Sequence, residues 1–294
     1  MIPKELEDTL RLIHGTKASS WISALPKSIK NLENQWDIRN VIPLESLSFN
    51  YVARALDAGG APVVLKLILD EQSYYREKLS LQKLKGYRIV RVIDSSDEHQ
   101  ALLLEKLQPG ETLKESTSLT LDAKMHIYAN LLNQQDPIIE PQTENFPTIL
   151  DWFQAFHGPY AVELPKNVLK KALEFQKKIA KDPLHFCHGD LHLENILSHG
   201  KSWTMIDPKG VLATKAFEVA AFDFLSEEEL LNDSPMADLL EERICLLAQH
   251  CHLEIQTLKE TLFLKLTLSA LWFMDDNLCP LKPLRILEAL QKIV

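Results

Sequence analysis

The densest chemistry in the sequence lies in His188-Gly189-Asp190-Leu191-His192-Leu193-Glu194-Asn195 and, shortly after it, Met205-Ile206-Asp207-Pro208-Lys209-Gly210. A carboxylate, an amide five residues later and a second carboxylate shortly before a glycine are the groups that phosphoryl transfer from a nucleotide requires. That reaction needs mainly positioning and charge neutralisation: one carboxylate to orient the acceptor hydroxyl, and oxygen ligands to hold Mg²⁺ on the phosphates. Asp190 suits the first task as the catalytic base. Asn195 and Asp207 suit the second as metal ligands.

Positioning elements are legible around these residues. Ile196-Leu197-Ser198 and Trp203-Thr204-Met205-Ile206 read as short strands joined by His199-Gly200-Lys201, a hairpin that brings Asn195 and Asp207 together. Upstream, Val41–Leu44, Tyr51–Leu56 and Pro62–Leu69 read as strands of a small antiparallel sheet, with Asp57-Ala58-Gly59-Gly60 as a hairpin turn. Arg88–Ile93 and Gln100–Leu104 add two more. Lys66 interrupts an otherwise apolar strand, and a buried ammonium is costly without an anionic partner. The helix expected over Asp70–Leu84 offers Glu77, which falls within the stripe of Tyr74, Leu81 and Leu84. Glu71 competes, but its place in the first turn is explained by the helix dipole.

Before the sheet, apolar spacing predicts helices over Leu6–His14 and Ser28–Trp36, with Pro26 starting the second or the turn before it. Beyond residue 110 helices dominate, at about Thr120–Asn133, Pro147–Phe156 and Asn167–Lys181, with a later apolar helix over Leu262–Met274. The loop Glu45-Ser46-Leu47-Ser48-Phe49-Asn50, where a phosphate-binding flap would sit, has no glycine. Its backbone N–H groups or the hydroxyls of Ser46 and Ser48 are left to meet phosphates.

Asp190 to Asn195 has the spacing of the His-Arg-Asp-x-x-x-x-Asn loop of kinases, with Gly189 in place of the arginine. His188–His192, Ile206-Asp207-Pro208-Lys209-Gly210 and Phe217-Glu218-Val219-Ala220 resemble the streptomycin 6-kinase branch of the aminoglycoside/hydroxyurea phosphotransferase family. Trp21, Leu25-Pro26, Trp36 and Leu268-Ser269-Ala270-Leu271-Trp272 resemble that family too.

The resemblance implies an α+β, bilobal protein-kinase-like fold: a small antiparallel-sheet lobe over 1–104, a hinge over 105–110, and a larger, mainly helical lobe over 111–294. It implies ATP with Mg²⁺, GTP being left open, and a small hydroxylated acceptor, best matched by streptomycin or a related aminoglycoside. Lys66, fixed by Glu77, and Ser48 would meet the nucleotide, and backbone groups of the hinge from Glu105 to Leu107 its adenine edge. His188 and Glu218 would support the catalytic loop. Trp272, Asp275 and Asp276 would face the acceptor.

Composition narrows the alternatives. The 294 residues carry a net charge of −9, which disfavours a nucleic-acid partner and suits a cationic substrate. Eleven acidic residues against Arg243 and Lys259 between Glu218 and Glu260 read as a solvated helical face or as a field that attracts a polycation. No apolar run spans a bilayer and no basic-then-apolar leader opens the chain, so a cytoplasmic protein, monomeric or weakly dimeric, is expected. Cys187, Cys245, Cys251 and Cys279 lack a paired-ligand spacing and read as buried thiols. Zinc on His185, Cys187, His188 and His192 is a rival reading, but it leaves Asn195 and Asp207 without a task. Two further alternatives are a kinase of a different small hydroxylated metabolite and a kinase-like nucleotide-binding protein without catalysis.

Overall fold

A computed structural model describes residues 2–45, 47, 49–134, 146–231 and 235–294. The chain divides into two compact units, one of residues 1–110 with 198–206, the other of 111–197 with 207–294.

The first unit opens with helix α1 (Lys4–Trp36), followed by strands β1 (Arg39–Pro43), β2 (Tyr51–Leu56) and β3 (Pro62–Leu67), helix α2 (Glu71–Lys83), and strands β4 (Val92–Ser96) and β5 (Ala101–Glu105). The strands form an antiparallel sheet in the order β1-β2-β3-β5-β4. Alternation along β3 sends Val63, Leu65 and Leu67 into one core with Leu6, Leu10, Leu25 and Leu32 of α1. Each leucine so buried contributes roughly 1.5–3 kcal/mol relative to exposure. Lys66 points to the opposite face.

Two expectations need correction here. The break at Gly15 (φ 53°, ψ −124°) agrees with a first helix ending at His14, but the second runs from there to Trp36 with Pro26 inside it rather than starting near Ser28. Glycine takes that backbone at little cost. Pro26 forgoes one helical hydrogen bond, but Ala18, Ile22, Leu25 and Leu32 keep one buried stripe on either side of it. The fourth strand also starts at Val92 rather than Arg88, because Arg88 to Val90 pairs elsewhere: Met205 N–H donates to Arg88 O (2.7 Å), and Val90 N–H to Met205 O (2.9 Å). These bonds, with Gly200 N–H to Gln108 O (2.8 Å), explain why 198–206 belongs to the first unit.

The chain then runs through β6 (Pro109–Thr112), α3 (Leu121–Asn133), α4 (Ile149–Trp152), α5 (Lys166–Ile179), β7 (His185–Cys187), β8 (Ile196–His199), β9 (Ser202–Met205) and β10 (Val211–Ala213). Helices α6 (Lys215–Val219), α7 (Glu227–Leu231), α8 (Met236–Cys251), α9 (Ile255–Asp275) and α10 (Leu281–Leu290) complete it. The second unit packs these helices around Tyr128, Phe153, Phe156, Phe217 and Phe263, all fully buried. Among the described residues no helix is long and apolar enough to cross a membrane.

Candidate active site

In the first unit, Asp70 caps α2 by accepting from Ser73 N–H (2.8 Å), which sets the phase that turns Tyr74, Glu77 and Leu81 inward. Lys66 and Glu77 are 5% and 6% exposed. The ammonium meets both carboxylate oxygens, Oε1 at 2.8 Å and Oε2 at 2.7 Å. Glu77, not Glu71, is therefore the helix carboxylate on Lys66. Of the remaining first-unit candidates, Ser48 lies outside the described residues. The Glu105 carboxylate accepts from Arg91 N–H (2.8 Å), and Leu107 is buried.

In the second unit, β7 pairs antiparallel with β10, Cys187 opposite Val211. The loop leaving β7 carries Asp190, and the loop entering β10 carries Asp207, so one strand pair brings the two motifs together. His188 O accepts from both Lys209 N–H (2.9 Å) and Gly210 N–H (3.0 Å). Asp207 adopts a left-handed backbone (φ 60°), which Asp tolerates better than most residues.

Gly189 is required by its geometry. Its φ is 88°, and a Cβ there would sit 3.0 Å from Val211 Cγ1 and 3.2 Å from the Trp152 ring. No side chain such as the kinase arginine fits. The loop around it is anchored by side chains: Asp190 N–H donates to His188 Nδ1 (3.3 Å), Gly189 N–H to Glu218 Oε2 (3.0 Å), and Leu193 N–H to Asp223 Oδ2 (2.9 Å). The Asn195 amide donates to Asp190 O (2.9 Å), so the atom it can offer a cation is its Oδ1.

Asn195 Oδ1 and the Asp207 carboxylate are hard oxygen donors. Few protein ligands suit Mg²⁺, which keeps waters and takes phosphate oxygens for the rest of its shell. The residues present therefore fit it. Lys209 Nζ lies 3.8 Å from Asp207 Oδ2, a half-exposed contact that a divalent ion would readily replace. The zinc reading does not assemble: among the described residues no three His, Cys, Asp or Glu side chains are grouped to hold a metal. Cys187 instead donates to Ala213 O (3.7 Å), and burial, with Glu218 nearby, pushes its thiol well above the ordinary range; Cys251 is buried too, but Cys245 is only partly so and Cys279, past the end of α9, is exposed.

Trp272 is 40% exposed and meets Trp152 edge-on (5.3 Å between ring centres). Trp152 in turn lies against Gly189, so an exposed aromatic stands two contacts from the residue before Asp190. Asp276 N–H donates to Trp272 O (2.9 Å), which keeps Asp275 and Asp276 at the same helix end.

Two anchors escape the sequence reading. Asp223 is hidden in the acidic stretch taken as a solvated face. Lys265 donates to Gly189 O (3.1 Å) from within Leu262-Phe263-Leu264-Lys265-Leu266, a lone cation in an apolar run. That signal is the one that picks out Lys66.

The profile of the aminoglycoside/hydroxyurea antibiotic resistance kinase family matches residues 38–277. Streptomycin 6-kinase of Streptomyces griseus is 22% identical over 306 residues, covering 99% of this chain and 97% of that protein. Hydroxyurea phosphotransferase of Kitasatospora aureofaciens is 24% identical over 225 residues, 74% of this chain and 66% of that protein. A structure of a thermostable mutant of aminoglycoside phosphotransferase APH(4)-Ia, in ternary complex with AMP-PNP and hygromycin B, is similar at a TM-score of 0.61 and 14% identity, covering 90% of this chain and 95% of that one. The fold is protein-kinase-like. The chain belongs to the aminoglycoside/hydroxyurea antibiotic resistance kinase family, and it is a small-molecule phosphotransferase acting on hydroxyl groups.

Proposed function

We propose that this kinase transfers the γ-phosphoryl group of ATP to a hydroxyl of streptomycin or a closely related aminoglycoside. The observation that carries the reading is the β7–β10 pairing, which ties the Asp190 loop to the Asp207 loop through His188 O. Asp190 orients the acceptor hydroxyl and takes its proton as the new P–O bond forms and the bond to the leaving ADP breaks. Lys66, fixed by Glu77, holds nucleotide phosphates. Asn195 and Asp207 hold Mg²⁺, which when bound offsets the charge on the phosphate oxygens.

The acceptor reading is supported by the streptomycin kinase that the chain resembles over nearly its whole length. It is also supported by chemistry: an exposed Trp272 followed by Asp275 and Asp276 suits a cationic, ring-bearing molecule, through aromatic contact and charge. Transfer of label from γ-labelled ATP to a panel of streptomycin, other aminoglycosides and hydroxyurea tests this. Streptomycin is expected to take the label fastest. Label on another hydroxyl and none on streptomycin would keep the reaction and change the substrate.

A further inference from the structure

Lys265 sits on α9 between apolar neighbours. Its ammonium donates to Gly189 O (3.1 Å) and lies 4.7 Å from the centre of the Phe217 ring. Burial lowers its pKa, while Asp190, Glu218 and Cys187 nearby act in the opposite direction and favour the charged form. Glu218 is almost fully buried, and its Oε1 has no hydrogen-bond partner among the described residues. A buried carboxylate left so calls for a compensating charge close by. Lys265 is a cation close enough that both Asp190 and Glu218 favour its charged form.

The two charged groups hold opposite ends of one glycine. Glu218 takes Gly189 N–H, and Lys265 holds Gly189 C=O. That carbonyl belongs to the peptide plane whose N–H is Asp190's, and this N–H is taken by His188 Nδ1. The plane is therefore tied at both ends. Glycine is the residue for which a peptide swings most freely, so ties count most here.

We infer that Lys265 is a positioning residue for the transfer reaction, clamping the Gly189–Asp190 peptide so that the Asp190 carboxylate is held toward the acceptor hydroxyl. The inference rests on the assignment of Asp190 as the base. It concerns orientation and the balance of charge around the loop, and it involves no contact of Lys265 with substrate. Misplacement by about 1 Å at such a group costs on the order of 100-fold in rate.

The test compares K265M, K265A and D190N with the wild-type chain, using the acceptor that the wild type labels in the panel. K265M is expected to lower kcat by about 10- to 100-fold, with the dissociation constant for a fluorescent ATP analogue within about two-fold of wild type. Ethylammonium, which restores a cation to the truncated site, is expected to raise the rate of K265A and leave wild type unchanged. K265M and K265A transferring at the wild-type rate would overturn the inference. So would a loss in kcat matched by an equal loss in nucleotide binding with no response to ethylammonium, since that is what a purely structural lysine gives. D190N transferring normally would instead defeat the assignment of the base, and a D190N that fails beside unimpaired lysine variants separates the two outcomes.

Discussion

Each unit sets a lysine near a buried glutamate, and the two arrangements differ in what stands between the charges. In the first, Lys66 and Glu77 meet directly through both carboxylate oxygens. In the second, Glu218 and Lys265 are separated by Gly189, one holding its N–H and the other its C=O. A direct pair neutralises itself and fixes one side chain, here the lysine proposed to meet phosphate. A split pair spends both charges on the main chain, and so fixes whatever the backbone carries next, which is Asp190.

The difference makes the two arrangements breakable in distinct ways. In the second arrangement the largest effect is expected from G189A, which forces a Cβ to 3.0 Å from Val211 Cγ1 at a φ of 88°. Transfer should fall by about 100-fold as the Asp190 loop shifts, with a stability loss of about 1–3 kcal/mol by thermal or urea unfolding. Next, K66M removes the cation that meets both oxygens of the buried Glu77 carboxylate and should cost about 3–5 kcal/mol. The double variant K66M/E77L replaces the pair with apolar groups and should recover most of that stability while nucleotide binding stays lost. If K66M/E77L bound the fluorescent ATP analogue like wild type, the pair would be structural only.

A milder change sharpens the second arrangement. E218Q keeps an oxygen for Gly189 N–H but removes the charge facing Lys265, so kcat should drop by less than about 10-fold, with little change in unfolding midpoint. The smallest effect belongs to an ion pair that touches neither arrangement. Arg243 grips both oxygens of Glu229 (2.5 and 2.8 Å) and lowers its pKa from the usual 4.5 to about 2. A carboxylate depressed in the folded state contributes stability above its ordinary pKa, and that contribution is lost as pH falls from 4.5 toward 2. E229Q should therefore flatten the acid limb of stability over that window by about 1 kcal/mol or less, since solvent screens a partly exposed pair. Its transfer activity should equal wild type.

Much of this was readable from residue types and spacing. Lys66 stood out as a single cation in an apolar strand, and Glu77 as a carboxylate inside a helix stripe. Both signals are local. The two motifs that the β7–β10 pair joins were legible because they place oxygen-bearing groups in the order that phosphoryl transfer requires. Asp223 was not, because a carboxylate that accepts one backbone N–H looks in sequence like its solvated neighbours Glu227 to Glu229. Lys265 carried the same signal as Lys66, yet its partner is a carbonyl 76 residues away, and main-chain acceptors leave no trace in a sequence. The shift of the fourth strand to Val92 has a similar origin, decided by the distant Met205 that pairs with Arg88 and Val90.

The proposed reaction turns on Asp190 delivering the acceptor hydroxyl for phosphoryl transfer. Mass spectrometry of streptomycin after incubation with ATP, Mg²⁺ and either wild type or D190N tests it most directly, with nucleotide affinity measured on the same samples. Wild type is expected to add one phosphoryl group, and D190N to do so at a rate lower by about 10²–10⁴ with nucleotide affinity unchanged. Phosphorylation by D190N at the wild-type rate would contradict it.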